Sequence, residues 1–181
     1  MRVNIASTRA GLSALAAASV LALAACSGPA TPPENPGENP AKGFCDAMVT
    51  VTEAAPAASV ALNGLFDEMG NEANYDPDAD LSNLAAAGST VVTAGTAYAD
   101  ALKAAQEFAD AGSQSDFDAV IDYWTLYGVA LGDLGAEAED FVDFLEQARP
   151  LVDSEDTATL SAAQRSAADR IAATYAATCS S

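Results

Sequence analysis

From Phe44 onward, apolar residues return in steps of three and four and nowhere alternate with period two, which limits this part of the chain to packed helices. Phe44, Met48, Val51, Ala55, Ala58, Leu62, Leu65 and Met69 trace a first stripe. An α-helix returns to the same face every 3.6 residues, so this spacing buries one side and leaves the other in water. Leu81, Leu84, Gly88, Val91, Gly95, Tyr98, Leu102, Ala105 and Ala109 trace a second. Gly88 and Gly95 lie on that buried face, where a missing side chain lets a neighbouring helix come close. A third, wider face carries Phe117, Val120, Ile121, Trp124, Tyr127, Leu131, Leu134, Phe141, Val142 and Leu145. The last stripe is sparse, with Ala163, Ala167, Ile171 and Tyr175 leading to Cys179.

Punctuation along the chain sets the expected boundaries. Pro56 removes a donor and crowds the preceding turn, which predicts a kink or two short helices sharing one face. Ser115 with Asp118 makes a variant capping box at the start of the third helix, and Pro150 closes that helix. Ser161 with Gln164, preceded by Leu160, marks the start of the last. The third segment exceeds the usual helix length, and Gly128, Gly132 and Gly135 are the places where it would bend or break. The expected fold is therefore all-α: an antiparallel four-helix bundle over residues 44–181, or five helices through breaks at Pro56 or Gly132/Gly135. An up-down-up-down order puts the start of the first helix beside the end of the fourth.

The residues before Phe44 follow different rules. Residues 27–43 hold five of the chain's eight prolines and repeat Glu-Asn-Pro at 34–36 and 38–40. Such a segment has nothing to bury, and at about 3.1 Å per residue it is a tether reaching about 50 Å. Ahead of it, Arg2 and Arg9 give a cationic start, Leu12 to Ala25 form a short apolar run, and Leu23-Ala24-Ala25 precede Cys26. These are the parts of an export signal, and the run is too short and Ala-rich to span a bilayer as a helix. Leu23-Ala24-Ala25-Cys26 resembles the lipobox of bacterial lipoproteins. The resemblance implies removal of residues 1–25, lipidation of Cys26 with acyl chains such as palmitate, and attachment to the extracytoplasmic face of the cell membrane. It leaves a lipidated cysteine and tether over 26–43 and the helical domain over 44–181.

Cysteine arithmetic agrees with export. There are three cysteines, and lipidation uses Cys26, leaving Cys45 and Cys179 near the two ends of the helical domain. In an oxidising compartment these two are expected to pair. The expected bundle places them at the same end by an independent route.

Charge and composition exclude several classes of function. All 26 acidic residues follow Cys26, against five basic ones, for a mature charge of about −21. Such a surface repels nucleic acid phosphates and anionic lipid headgroups, so membrane attachment has to come from acyl chains on Cys26. Histidine is absent, which removes Ser-His-Asp and Cys-His nucleophile systems and the usual zinc ligand sets. Glu139, Asp140, Asp143 and Glu146 lie close together but on the side away from Leu134, Phe141 and Leu145, where water keeps them ordinary acids. Arg165 and Asp169, four apart, have the spacing of a surface ion pair.

Two stretches remain as candidate binding sites. Asp76, Asp78 and Asp80 alternate as in the opening of an oxygen-rich calcium loop, but position six is Leu81 and position twelve is Ala87, where that loop needs Gly and Glu. A helix start accounts for the same residues, with Asp80 as the cap and Asp76 and Asp78 near its positive end. Tyr123, Trp124 and Tyr127 form the densest aromatic group. Trp124 and Tyr127 share the apolar stripe, and Tyr123 is expected to face a groove or solvent. The chain as a whole reads as a lipid-anchored, non-catalytic interaction module of the envelope with a protein partner. A carrier of a small ligand or calcium is the alternative, and no other cofactor is expected.

Overall fold

The computed structural model describes residues 40–179, and over these residues the protein is all-α, with no strand. Helix α1 spans Pro40–Met69 and is followed by a 3-10 turn at Glu72–Tyr75. Helix α2 spans Ser82–Gln106 and α3 Gln114–Tyr123. A π-helical segment, Trp124–Val129, runs directly from α3 into α4 at Ala130–Ala136, giving one continuous rod over 114–136. Helix α5 spans Phe141–Val152 and α6 Glu155–Cys179.

Particular contacts show how the rods run. Gly43, early in α1, lies against the Phe108 ring just beyond α2, and the Phe44 and Phe117 rings meet edge to face at 6.4 Å. Asp116, early in α3, receives the guanidinium of Arg170, late in α6. At the other end, Gly88 of α2 lies against the backbone of Gly132, Gly135 and Ala136, and Gly135 lies against Leu65 of α1. Successive rods therefore reverse direction, and α6 returns to pack on α3 and α1, a packing consistent with an antiparallel bundle. Cys45 and Cys179 are joined by a disulfide, with Cα atoms 5.7 Å apart, at the end where α1 begins and α6 finishes. Helix α5, by contrast, packs on α4 and on the 3-10 turn, across the far end.

Burial follows the stripes closely. Met48, Val51, Leu65, Leu84, Val91, Leu102, Phe117, Val120 and Leu131 are fully buried in one contiguous core. Two expected stripe members, Val142 and Ala163, are exposed instead.

Several boundaries differ from expectation, each for a local reason. Residues 40–43, expected in the tether, are the first turn of α1, since a proline at the first helical position lacks only a donor that would be unsatisfied anyway. The helix continues through Pro56 without dividing in two, and that ring stands on the exposed face. The rod also runs on through Gly132 and Gly135 and breaks after them, at residues 137–140. Those glycines serve the crossing of α2 and α4, because a Cβ added at Gly88 would collide with the facing backbone.

Caps explain the remaining shifts. Ser115 and Asp118 form no capping box: Asp110 Oδ1 accepts from the Gly112 and Ser113 N–H groups, and Asp118 accepts from Gln106 Nε2. Helix α5 outlasts Pro150 by two residues. Helix α6 starts six residues before Ser161, because Ser154 Oγ accepts from the Thr157 N–H and Thr157 Oγ1 donates to the Leu151 carbonyl.

Candidate functional site

The aromatic group lies in the core. Tyr123 is 7 % exposed, Trp124 3 % and Tyr127 1 %, so the expectation that Tyr123 faces a groove or solvent is corrected. Tyr123 ends α3, whose side is covered by α6. The wider turn of the π segment, closed by i→i+5 bonds, follows Tyr123 and carries Trp124, Tyr127 and Gly128. The Tyr123 ring stands 5.9 Å from Trp124 and 5.1 Å from Tyr127, and Tyr98 of α2 meets Trp124 edge to face at 5.5 Å. Gly128 makes room for the indole, since a Cβ there would press on its six-membered ring, while one at Gly95 would crowd Val129 and only touch the indole. Neither of two depressions at the far end of the bundle is lined by the Tyr123, Trp124 or Tyr127 ring.

Burial governs the chemistry of these phenols. It raises Tyr98 and Tyr123 to about 12, the nearby Arg165 guanidinium offsetting a little of the effect at Tyr123. Tyr127 is raised further, by burial first and then by Tyr123 and Asp153. All three are neutral at physiological pH and unsuited to act as bases. Trp124 Nε1 and the Tyr127 hydroxyl are buried with no hydrogen-bond partner among the described residues.

The acidic loop is organised as a helix entry. Asn71 caps the 3-10 turn through the Ala73 N–H, and buried Asn74 donates from Nδ2 to the Glu68 carbonyl at 3.0 Å. Asp76 Oδ1 accepts from the Asp78 N–H, and Asp80 Oδ1 accepts from the Ser82 N–H, both at 3.0 Å. That backbone bond, helped by the Ser82 hydroxyl, holds the Asp80 carboxyl below its ordinary range. Among the described residues no three His, Cys, Asp or Glu side chains stand close enough together to hold a metal ion. The candidate ligands Asp76, Asp78 and Asp80 are thus spread along the loop, two of them committed to backbone donors.

The loop borders a shallow depression of about 370 Å³ lined by Asn71, Asn74, Asp76, Asp78, Asp80 and Asn83. A second, of about 470 Å³, lies between α4 and α5 and is lined by Leu134, Glu137, Glu139, Asp140, Asp143 and Phe144. Both belong to the far end. Here, too, are Tyr75, 42 % exposed, and Val142, 51 % exposed. The Tyr75 ring stands edge to face on Phe141 at 4.9 Å, which ties the loop to α5. Sequence periodicity missed this pair: Tyr75 belongs to no stripe, and Val142 was assigned to a buried one. The available signal was Asp140, whose carboxylate accepts from the Val142 and Asp143 N–H groups and so starts a new helix in a new rotational phase.

Charge is divided between the two ends. In segments 66–84 and 130–158, which build the far end, there are 15 acidic residues and one basic residue, Arg149. Lys42 and Lys103 pair with Asp46 and Asp100 at the stapled end, and the cation of Arg170 is held there by Asp116 through Nε and Nη2. Arg165, expected to pair with Asp169, lies instead near Tyr123. No described helix is long and apolar enough to cross a membrane. Cys26 and the signal segment lie outside the described residues. No protein-family model matches the chain, and no curated protein or solved structure matches it either.

Proposed function

We propose that the protein is a lipid-anchored, extracytoplasmic interaction module with no catalytic activity, held by acyl chains on Cys26 and presenting its far end to an envelope protein. One observation supports this: the described chain begins at the disulfide-stapled end, so the acidic end with both depressions is the end remote from Pro40. Helix α1 alone, 30 residues at 1.5 Å each, separates the two ends by roughly 45 Å. Exposed carboxylates and neutral buried tyrosines are poor material for acid–base catalysis and good material for a solvated contact surface.

Two experiments test this. Cys26→Ser should abolish partition into detergent and leave the helical domain folded; a variant that still partitioned would refute the anchor. Crosslinking in living cells through reactive groups placed at the far end, at residue 78 or 139, should capture one recurrent envelope protein. Equal capture from residue 107, at the stapled end, would refute the assigned orientation.

A further inference from the structure

We infer that the outer face of α1 is a self-association surface, on which a second copy of this chain docks antiparallel to form a weak, two-fold symmetric dimer. The inference goes beyond the anchored-module proposal and does not rest on it, because the surface belongs to the folded domain. Opposite its buried stripe, α1 carries a second stripe in the same alternating steps of four and three: Lys42, Asp46, Val49, Glu53, Pro56, Val60, Asn63 and Asp67. Each of these is exposed or half-buried, Val49 at 45 % and Val60 at 70 %. Val49 and Val60 are three helical turns apart, so they stand on one face of one helix.

Charge is sparse on this face. Between Asp46 and Asp67 the only charged residue is Glu53, and α2, which packs along α1, has none from Leu81 to Ala99. In a chain of net charge −19, two copies meet with least repulsion on such a surface. The face is also low: Pro56 stands exposed inside the helix, and a Cβ added at Gly64 would meet open space. Proline and glycine weaken a helix interior, but they let a facing helix come close.

The order of residues along the stripe selects the occupant. Reversed upon itself, the stripe sets Lys42 against Asp67, Asp46 against Asn63, Val49 against Val60 and Glu53 against Pro56, and each pair occurs twice, as two-fold symmetry requires. A parallel pairing would oppose Asp46, Glu53 and Asp67 each to its own copy, three like-charge meetings. Lys42 already pairs with Asp46 in its own helix, and an ammonium with three donors can serve a second carboxylate as well. From Lys42 to Asp67 the stripe is roughly 37 Å long on a helix about 10 Å across, or about 400 Å² a copy and about 800 Å² for the pair. That is the scale of weak, reversible interfaces. The tether's reach of about 50 Å exceeds the roughly 45 Å length of α1, so two copies anchored as proposed can lie antiparallel on one membrane.

The test uses residues 26–181 carrying Cys26→Ser, with the native disulfide intact, in sedimentation equilibrium between about 0.01 and 1 mM. We expect a reversible monomer–dimer equilibrium with a dissociation constant of about 0.1 mM. Val60→Gln should weaken it about tenfold, whereas Val142→Gln, which changes an exposed valine on α5, should leave it within about twofold. Lys42→Asp and Asp67→Lys should each weaken the dimer, and the two together should restore it to within about twofold. Direction is read separately: a mixture of Val49→Cys and Val60→Cys copies should crosslink faster than either variant with itself. Circular dichroism establishes that each variant keeps its helices. A monomer throughout that range, equal losses for Val60→Gln and Val142→Gln, no restoration in the double variant, or faster crosslinking of like with like would each overturn the inference. None of these results bears on membrane attachment, which the Cys26→Ser fractionation reads separately.

Discussion

Replacing Tyr127 by Phe should make the protein more stable. Tyr127 is 1 % exposed, and its hydroxyl has no partner among the described residues. A buried, unsatisfied hydroxyl costs about 1–3 kcal/mol relative to hydration in the unfolded chain, and phenylalanine removes it while keeping the ring against Tyr123. Allowing for partial relaxation, the expected gain is about 1–2 kcal/mol. At about 3–4 °C per kcal/mol for a domain of about 140 residues, the melting temperature should rise by roughly 3–7 °C. Urea unfolding of the oxidised protein, followed by near-ultraviolet circular dichroism, should show a later midpoint with an unchanged slope. Tyr127→Ala is the control for ring packing and should lose about 3–5 kcal/mol. A Tyr127→Phe protein less stable than the parent by about 1 kcal/mol would show that the hydroxyl is satisfied in the native fold and would refute the reasoning.

Other outcomes follow from the same packing. Gly88→Ala should destabilise by about 3 kcal/mol or more, since the new Cβ meets backbone at Gly132 and Gly135; Gly64→Ala, with open space around it, should stabilise by about 0.5–1 kcal/mol in the same urea assay. The raised phenols of Tyr98 and Tyr123 hold their protons more tightly when folded. Their contribution is complete below about pH 10, the unfolded value, and is lost as pH climbs towards about 12, so phenolate absorbance and helix loss should appear together in that window after a rapid pH jump. A full phenolate signal near pH 10 with the helices intact would contradict their burial. Removing both Cys45 and Cys179 by serine substitution should cost at most about 5 kcal/mol, with amide exchange rising first in α6.

Much of the fold was legible because the domain's energetics are dominated by one repeated choice, an apolar residue every three or four positions. The stripes of α1 and α2 match the buried residues almost position for position, and the Cys45–Cys179 pairing followed from parity together with antiparallel order. What sequence could not convey was rotational phase. The π segment adds an i→i+5 turn that no residue in Trp124–Val129 announces, and Tyr123, just before it, is buried where α6 covers α3. The Asp140 cap resets the phase again and turns Val142 outward. The candidate site was legible in its charge and not in its position. Asp76, Asp78 and Asp80 stood out by spacing, but only the Tyr75–Phe141 contact shows that this loop and the Glu137–Asp143 acids share one end.

The disulfide also has a mechanical meaning. On the anchored-module proposal, a partner pulling on the far end while lipid holds the tether would load the domain along its helix axes. Without the bridge, α1 would carry that load from the tether alone, and α6 would be a passive neighbour free to slip. With Cys45 joined to Cys179, two antiparallel rods hang from one covalent point, and the tension is divided between them in shear. Helices sheared along their packed faces must break many contacts at once, whereas helices peeled from one end break them singly. Under that proposal, the bridge would let the domain bear a pull without unzipping from the end that carries Cys45 and Cys179.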